Sequence, residues 1–389
     1  MTEPTENYIH SSIPLDADVC IIGGGLGGLS LSILLAEQGH KVILLEKENY
    51  PFHKVCGEYI SLESWEFLER LGVPLSTMSL PVISKLLVTS PSGTMIRHNL
   101  PLGGFGISRF TLDSTLAAIA KQKGVSVIEG CKANDAVFLN DEFVISAGKY
   151  RINSRICAGS FGKRSNLDIK WKRSFVLDKP NKLNNYVGIK YHVRADFPAD
   201  TIALHNFENG YCGISRIEDE KYCCCYLTTA DNLKKHNNNI EAMEQSLLYR
   251  NPHLKKVFEQ MEKLFKEPLV ISQVSFAKKT ITHQHSILLG DAAGMIAPLC
   301  GNGMSMAMHA AKLASGNIHQ FLEGKFSREQ MESTYIKQWN HHFASRLRTG
   351  RLIQSMFGKT VLTNVFLNSV KPFPRLVNAL IKQTHGDAF

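Results

Sequence analysis

Apolar and polar positions change their period several times along the chain. Asp18-Val19-Cys20-Ile21-Ile22 is a short apolar run suited to a buried parallel strand. Five glycines then fall within six residues, 23–28, after which Leu29, Ile33 and Ala36 recur at helical spacing and Gly39 ends the helix. Residues 41–45 read as a second strand with Glu46 at its end. Further on, Val187, Ile189, Tyr191 and Val193 alternate with Tyr186, Lys190 and His192, the period of a strand with one face buried. Residues 203–207, 211–217 and 222–228 predict further strands, joined by turns at Glu208-Asn209-Gly210 and Glu218-Asp219-Glu220, in an antiparallel meander. Residues 240–250 and 253–265 predict two helices broken at Asn251-Pro252. Residues 285–289 read as a strand ending in Gly290-Asp291, and 304–313 as a helix.

The first of these units carries chemistry. Gly23 allows a tight turn, Gly25 lets backbone approach a pyrophosphate, and Gly28 lets helix and strand pack closely. Leu26 and Gly27 open the helix, whose N-terminal N–H groups and positive dipole end suit phosphate. Glu46 lies 18 residues after Gly28, where a carboxylate accepts hydrogen bonds from a ribose diol, and Lys47 adjoins it. Strand, glycines, helix, second strand and terminal acid in that order predict a dinucleotide site. The unit alone does not choose FAD over NAD.

Composition narrows the class. At 389 residues the chain exceeds what one core usually covers, so more than one domain is expected. The start carries Glu3 and Glu6 and no apolar run before Pro14, unlike a secretory signal. Two uncharged stretches, 19–36 and 292–311, have the length of membrane spans. Five glycines in the first, and Gly294, Pro298, Gly301, Asn302 and Gly303 in the second, predict turns instead. Nine cysteines without a C-x-x-C pair suit reduced thiols in a cytoplasmic enzyme, with the triplet Cys223-Cys224-Cys225 as small filler on a strand. No metal-ligand spacing is present, and His341 and His342 are helix neighbours that point apart, so no metal is expected. The net charge is +9, and much of it lies in the last fifth of the chain, together with Trp339, Phe343, Phe357, Phe366 and Phe373. Two readings stay open for this region: a helical cap over the core, or peripheral contact with an anionic membrane. No recognised nucleic-acid module is visible.

The segment from Gly290-Asp291-Ala292-Ala293 through Pro298 to Gly301-x-Gly303 follows the pattern G-D-A-A-x-x-x-x-P-x-x-G-x-G. Ser108-Arg109 with Asp113 and Leu116 follows an R-x-x-x-D-x-x-L helix start. Pro51-x-x-Lys54-x-Cys56-Gly57 follows P-x-x-K-x-C-G. On these residues the chain, over roughly 15–340, resembles the FAD-dependent para-hydroxybenzoate hydroxylase-like monooxygenases and the geranylgeranyl reductases. The resemblance implies FAD as cofactor, with NAD(P)H as a potential electron donor. It places Asp291 at the ribityl chain, Gly303 and Met304 at the isoalloxazine edge, Arg109 near the flavin nucleotide, and Cys56 and Gly57 on the substrate side of the flavin, with Lys54 of the same motif among the cofactor contacts. It also brings Ala133, on a strand formed by 124–133, past the adenine. The relatives' Ala-Asp-Gly segment, tied to flavin and NAD(P)H, is here Ala158-Gly159-Ser160, without the acid. The reductases' Y-x-W-x-F has Ile214 for Trp, and the halogenases' W-x-W-x-I-P is absent.

The implied fold is α/β: a Rossmann-type FAD-binding domain (15–60, 105–168 and 280–338) with an inserted antiparallel β-sheet substrate domain (61–104 and 169–279) and a C-terminal helical region (339–389). In relatives the inserted sheet roofs a cavity, which Tyr191, His205, Phe207 or Tyr211 would line here. Three functions follow: oxygenation of a lipophilic or aromatic small molecule; reduction of a C=C bond, with Cys56 as proton donor; or non-catalytic binding on the same fold, as in Rab escort and GDP-dissociation inhibitor proteins. Cys56 and Tyr211 are the candidate catalytic residues.

Overall fold

The computed structural model describes residues 13–177, 185–296, 301–356, 358–384 and 386–389. Strand β1 (Ile13–Ile22) is fully buried over its last four residues and passes through Gly23 into helix α1 (Leu26–Glu37). Gly23 has φ +104°, and a Cβ there would overlap the Ser160 carbonyl; a Cβ on Gly28 would overlap the Gly23 carbonyl. Strand and helix therefore meet at backbone distance, which only glycine permits. Residues 26–35 of α1 are buried on every side, because the helix lies against others on both flanks.

In chain order, β2 (Val42–Leu45), β3 (Tyr59–Ser61), α2 (Trp65–Arg70), β4 (Val82–Thr89), β5 (Met95–Gly106), α3 (Arg109–Gln122), β6 (Ser126–Ile128), β7 (Ala133–Leu139), β8 (Glu142–Ala147) and β9 (Tyr150–Gly159) follow. Then come α4 (Asn166–Lys170), α5 (Ser174–Leu177), β10 (Tyr186–Arg194), β11 (Thr201–Phe207), β12 (Gly210–Arg216), β13 (Tyr222–Thr229), α6 (Ala230–Lys235), α7 (Ile240–Leu247) and α8 (Pro252–Gln260). The chain continues with β14 (Glu262–Lys263), β15 (Leu269–Val274), β16 (Thr282–His283), β17 (Ser286–Leu288), α9 (Gly303–Leu322), α10 (Arg328–Met356), α11 (Thr360–Val370) and α12 (Pro374–Thr384).

The described strands form two sheets. The first has the order β16-β17-β9-β1-β2-β6, parallel from β17 to β6, with the β7–β8 hairpin added to β9. Stretches of its parallel strands, such as Val19–Ile22 of β1 and Val42–Leu45 of β2, are apolar and buried because α1, α3 and α9 pack against them. The second has the order β14-β10-β13-β12-β11-β4-β5-β3, with β15 also on β10. It is not a pure meander: β11 runs parallel to β4, Thr201 opposite Lys85. Strand β4 comes from a separate excursion of the chain, which local periodicity does not register.

Four further expectations change. Strand β10 is buried on both faces, not one, since Lys190 and His192 meet partners inside the protein. The helix expected over 253–265 stops at Gln260, and Glu262–Lys263 pairs with β10. The strand expected over 124–133 is only Ser126–Ile128. There the chain turns, Cys131 N–H donating to the Glu46 carbonyl at 2.8 Å. The boundary placed at 338/339 falls inside α10, one continuous helix. Neither uncharged stretch is a single helix, and no described helix is long and apolar enough to cross a membrane.

The contact between Gly28 and the Gly23 carbonyl sets a stability test. Gly28→Ala forces backbone apart and should cost about 1–3 kcal/mol or more, read as a lowered midpoint in denaturant with an unchanged slope.

Candidate functional site

Helix α1 has Gly25 as its N-cap and no side-chain cap, so no side chain of the turn occupies its first N–H groups. Two contacts hold the glycine turn. Gly24 N–H donates to Glu46 Oε2 at 2.8 Å, and the Tyr50 hydroxyl donates to the Gly24 carbonyl. Glu46 Oε1 also accepts from Glu48 N–H at 3.1 Å, so this carboxylate fixes the turn from the end of β2.

Two cations converge on the same point. Arg109, at the start of α3, grips Asp113 through Nε–Oδ1 and Nη2–Oδ2 contacts of 2.7 Å each, and Lys54 Nζ lies 2.8 Å from Asp113 Oδ2. Arg109 and Asp113 share a face because they are four residues apart on a helix. Burial alone would push the Asp113 carboxyl up, but Arg109 and Lys54 hold it below the ordinary carboxylate range. A Cβ built on Gly25 would meet only Arg109 Nη2 at 3.8 Å and Lys54 Nζ at 4.0 Å. The space over Gly25 is thus bounded by a helix N-terminus, a guanidinium and an ammonium, a donor set that fits a pyrophosphate.

A second turn lies between β17 and α9. Gly290 has φ +54° and leads into Asp291, and Gly301 has φ +69° with its Cα against the Tyr59 ring. Lys279 Nζ donates to the Asp291 and Lys163 carbonyls at 2.7 and 2.6 Å. Burial pushes the Asp291 carboxyl up against the pull of Lys279, Arg109 and Lys163. Burial likewise lowers Lys163 and Lys279 to about 8, with Asp291 opposing it. Helix α9 starts at Gly303 without a side-chain cap, and Met304 Sδ lies 3.6 Å from Cys56 Sγ. Burial raises the Cys56 pKa, so at neutral pH it is a thiol.

Between these turns sits a buried carboxylate that sequence reasoning missed. Glu58 accepts from Arg109 N–H (2.8 Å), Lys190 Nζ (2.5 Å) and His192 Nε2 (2.6 Å). Burial would raise its pKa, but the His192 hydrogen bond and the Lys190 charge hold it below the usual value. Lys190 Nζ also donates to the Lys54 carbonyl at 3.0 Å. Glu58, His192 and Cys223 could together face a metal ion, their ligand atoms lying within 4.8 Å of one another. Lys190 already places a positive charge on Glu58, and a dication beside it would be repelled. No local spacing announces this cluster, because its members come from three separate segments.

The second sheet presents different faces to different partners. Tyr191 and Phe207 pack with α7 and α8 in one core, and His205 bonds Thr89 Oγ1 at 2.8 Å and stacks on His253 of α8. These three therefore point away from the turns, contrary to expectation. Tyr211 lies on the opposite face with Leu227, Val274 and Phe276. On that opposite face a cavity of about 120 Å³ lies between β4, β5 and β11 and the helices α11 and α12. Leu86, Leu100 and Leu204 line one side and Leu367 and Ile381 the other, and Tyr59 and Gly301 join it to the second turn. Its polar lining residue His98 is tied to Asn378 at 2.7 Å.

A family model described as an FAD binding domain matches residues 16–121, the span that contains the glycine turn, Lys54, Arg109 and Asp113. This part of the chain is an FAD-binding domain, and FAD is the cofactor. The chain is 25% identical over 365 residues to conditioned medium factor receptor 1 of Dictyostelium discoideum, covering 84% of this chain and 69% of that protein. It is 21% identical to tryptophan 2-halogenase of Chondromyces crocatus, covering 89% and 68%. A flavoprotein/dehydrogenase structure from Cytophaga hutchinsonii superposes with TM-score 0.78 at 18% identity over 94% and 92% of the chains, a likeness of fold. With an FAD-binding domain and flavin-dependent enzymes among its relatives, the flavoprotein is an FAD-dependent oxidoreductase.

Of the expected FAD contacts, Gly25, Leu26, Lys54 and Arg109 gather at the first turn, and Gly290, Asp291, Gly301, Gly303, Met304 and Cys56 at the second. Gly57 is exposed beside Cys56, with nothing near its Cα to fill. Ala133, Ala158 and Gly159 are buried strand positions, and Lys47 is exposed and pairs with Glu48 at 3.5 Å. Pro298 lies outside the described residues. Asp113, Lys190 and His192 join Glu58 as residues to which the sequence assigned no role in the site. Asp113 stood in a recognised motif, whereas Lys190 and His192 read as a solvent face.

Two substitutions test this site in the flavoprotein. Gly25→Val fills the space between the helix terminus and the two cations; it should fold yet desalt colourless, and a yellow product would reject the cradle. Glu58→Gln leaves Lys190 buried without its counter-charge and should cost about 3–5 kcal/mol. Because the folded Glu58 pKa lies below the unfolded value, its stabilisation is present above the ordinary glutamate pKa of about 4.3 and drains as pH falls from there. The wild type should lose stability in that acid range, and Glu58→Gln should lose less of it, as followed by thermal melts against pH.

Proposed function

We propose that the flavoprotein is a monooxygenase that places one atom of O2 on an electron-rich ring or alkene of a lipophilic small molecule. The observation that carries the reading is the apolar cavity at Tyr59 and Gly301, next to the turn that would hold the isoalloxazine. FAD, when bound, supplies the exchange of two electrons between donor, O2 and substrate. NAD(P)H or a separate reductase provides those electrons, and the second oxygen atom leaves as water.

The chain's own residues have three tasks. Gly25, Arg109 and Lys54 anchor the pyrophosphate. The N-terminus of α9 at Gly303 sets a positive dipole end against negative charge at the ring. Leu86, Leu204 and Leu367 keep water from the reacting carbon and orient it.

A second reading, reduction of a C=C bond in a prenyl or polyketide-type substrate, draws on Cys56. Its thiol stays protonated beside Met304 and could deliver the proton that accompanies hydride transfer. Likeness to a halogenase raises halide chemistry, but the W-x-W-x-I-P motif is missing from this sequence. Non-catalytic binding is disfavoured by the complete pyrophosphate cradle.

Incubation with NADH or NADPH, 18O2 and a panel of prenyl, polyketide-type and aromatic compounds separates these readings. The oxygenase reading expects one labelled oxygen in the product. An anaerobic product heavier by two hydrogens supports the reductase, and no product with the chemically reduced enzyme rejects both.

A further inference from the structure

The C-terminal helices are apolar on both sides. Phe366, Leu367 and Val370 of α11 and Val377, Leu380 and Ile381 of α12 turn inward and wall the cavity. The outward side of α11 carries Val361 (73% exposed), Leu362 and Val365 (57%). Phe373 (59%), at the junction of the helices, and Leu376 of α12 are also exposed. An outer helix face in water is ordinarily polar, and a contiguous run of large apolar side chains marks a surface that another phase covers.

Charge identifies that phase. Lys359, Lys371, Arg375 and Lys382 are exposed among these apolar residues. Between Glu332 and Asp387 the sequence holds eight Lys or Arg and no Asp or Glu. A second copy of this face would set like charges against like charges, whereas an anionic surface would be attracted. Each helix has 11 residues, too short to span a bilayer and suited to lying in its interface.

We propose that α11, α12 and the Phe373 corner between them form a docking surface for an anionic phospholipid bilayer. Val361, Val365, Phe373 and Leu376 enter the headgroup–acyl boundary while the four exposed cations meet lipid phosphates. One helix layer then separates the bilayer from the cavity, so a lipophilic substrate reaches it with little exposure to water. That consequence rests on the monooxygenase reading; the docking itself does not.

The full-length FAD-bound protein is sedimented with phosphatidylcholine vesicles, with and without phosphatidylserine at about 30 mol%, and bound protein is read from flavin absorbance, which needs no turnover. Phosphatidylserine should raise binding at least about tenfold, and added salt should reverse much of that gain. The double variant Val365→Glu/Phe373→Glu should lose at least about tenfold in binding while keeping its flavin spectrum and melting temperature. Lys371→Ala/Arg375→Ala should bind with a smaller phosphatidylserine dependence and likewise stay folded. Wild type that ignores phosphatidylserine vesicles, or an acidic double variant that binds as wild type does, overturns the proposal. So does light scattering that shows a wild-type dimer and a monomeric Phe373→Glu, since a second copy then covers this face. A failed vesicle assay leaves the 18O2 result standing, and a failed 18O2 assay leaves the vesicle result standing.

Discussion

Glu58 is a carboxylate with no contact to solvent, and its three donors come from two separate elements that the fold must bring to it. Arg109 N–H opens α3 beside the nucleotide turn, and Lys190 and His192 stand on β10 of the second sheet. A buried carboxylate is tolerable only when charge and hydrogen bonds compensate it. The second sheet therefore docks in one register against the loop that carries Lys54, Cys56 and Gly57. Secondary contacts follow the same join: Ser215 Oγ donates to the Gly57 carbonyl at 3.4 Å, and Cys223 Sγ to the Cys56 carbonyl at 3.1 Å. Where this loop sits relative to α9 depends on that docking.

Around this join the molecule separates charge from apolar surface. The pyrophosphate end is positive: an uncapped helix terminus, Arg109 and Lys54, with Asp113 holding both side chains in place. The other end opens onto a cavity lined almost wholly by aliphatic and aromatic side chains. One end selects an anionic cofactor, and the other excludes water from whatever reacts beside it. The inward-facing residues of α11 and α12 close that cavity while Val361, Leu362, Val365 and Leu376 on their outer side are exposed and apolar, so the helices that seal the site also present an apolar surface.

Much of the cofactor half was legible in the sequence because its signals are local. A strand, a glycine turn and a helix occupy 25 consecutive residues, 13–37, and the reason for Gly28 is a steric contact with Gly23 in the same turn. The Arg109–Asp113 pair is one helical turn, and Gly290-Asp291 with Gly301 and Gly303 forms a compact motif. Periodicity also located β10 to β13 to within two residues at most ends. It did not show that β11 runs parallel to β4, because strand pairing across more than 100 residues leaves no local mark.

The substrate half was decided by tertiary structure. Alternation along a strand separates two faces but does not say which layer covers each. Lys190 and His192 therefore read as a solvent face, and Tyr191, His205 and Phe207 as cavity walls, whereas the folded layers are the reverse. The sequence alone determined a cofactor cradle, since a backbone close to phosphate demands glycine at fixed spacing. Only the folded chain determined the Glu58 cluster, the cavity and the apolar outer face of α11 and α12, since each depends on segments far apart in sequence meeting in space.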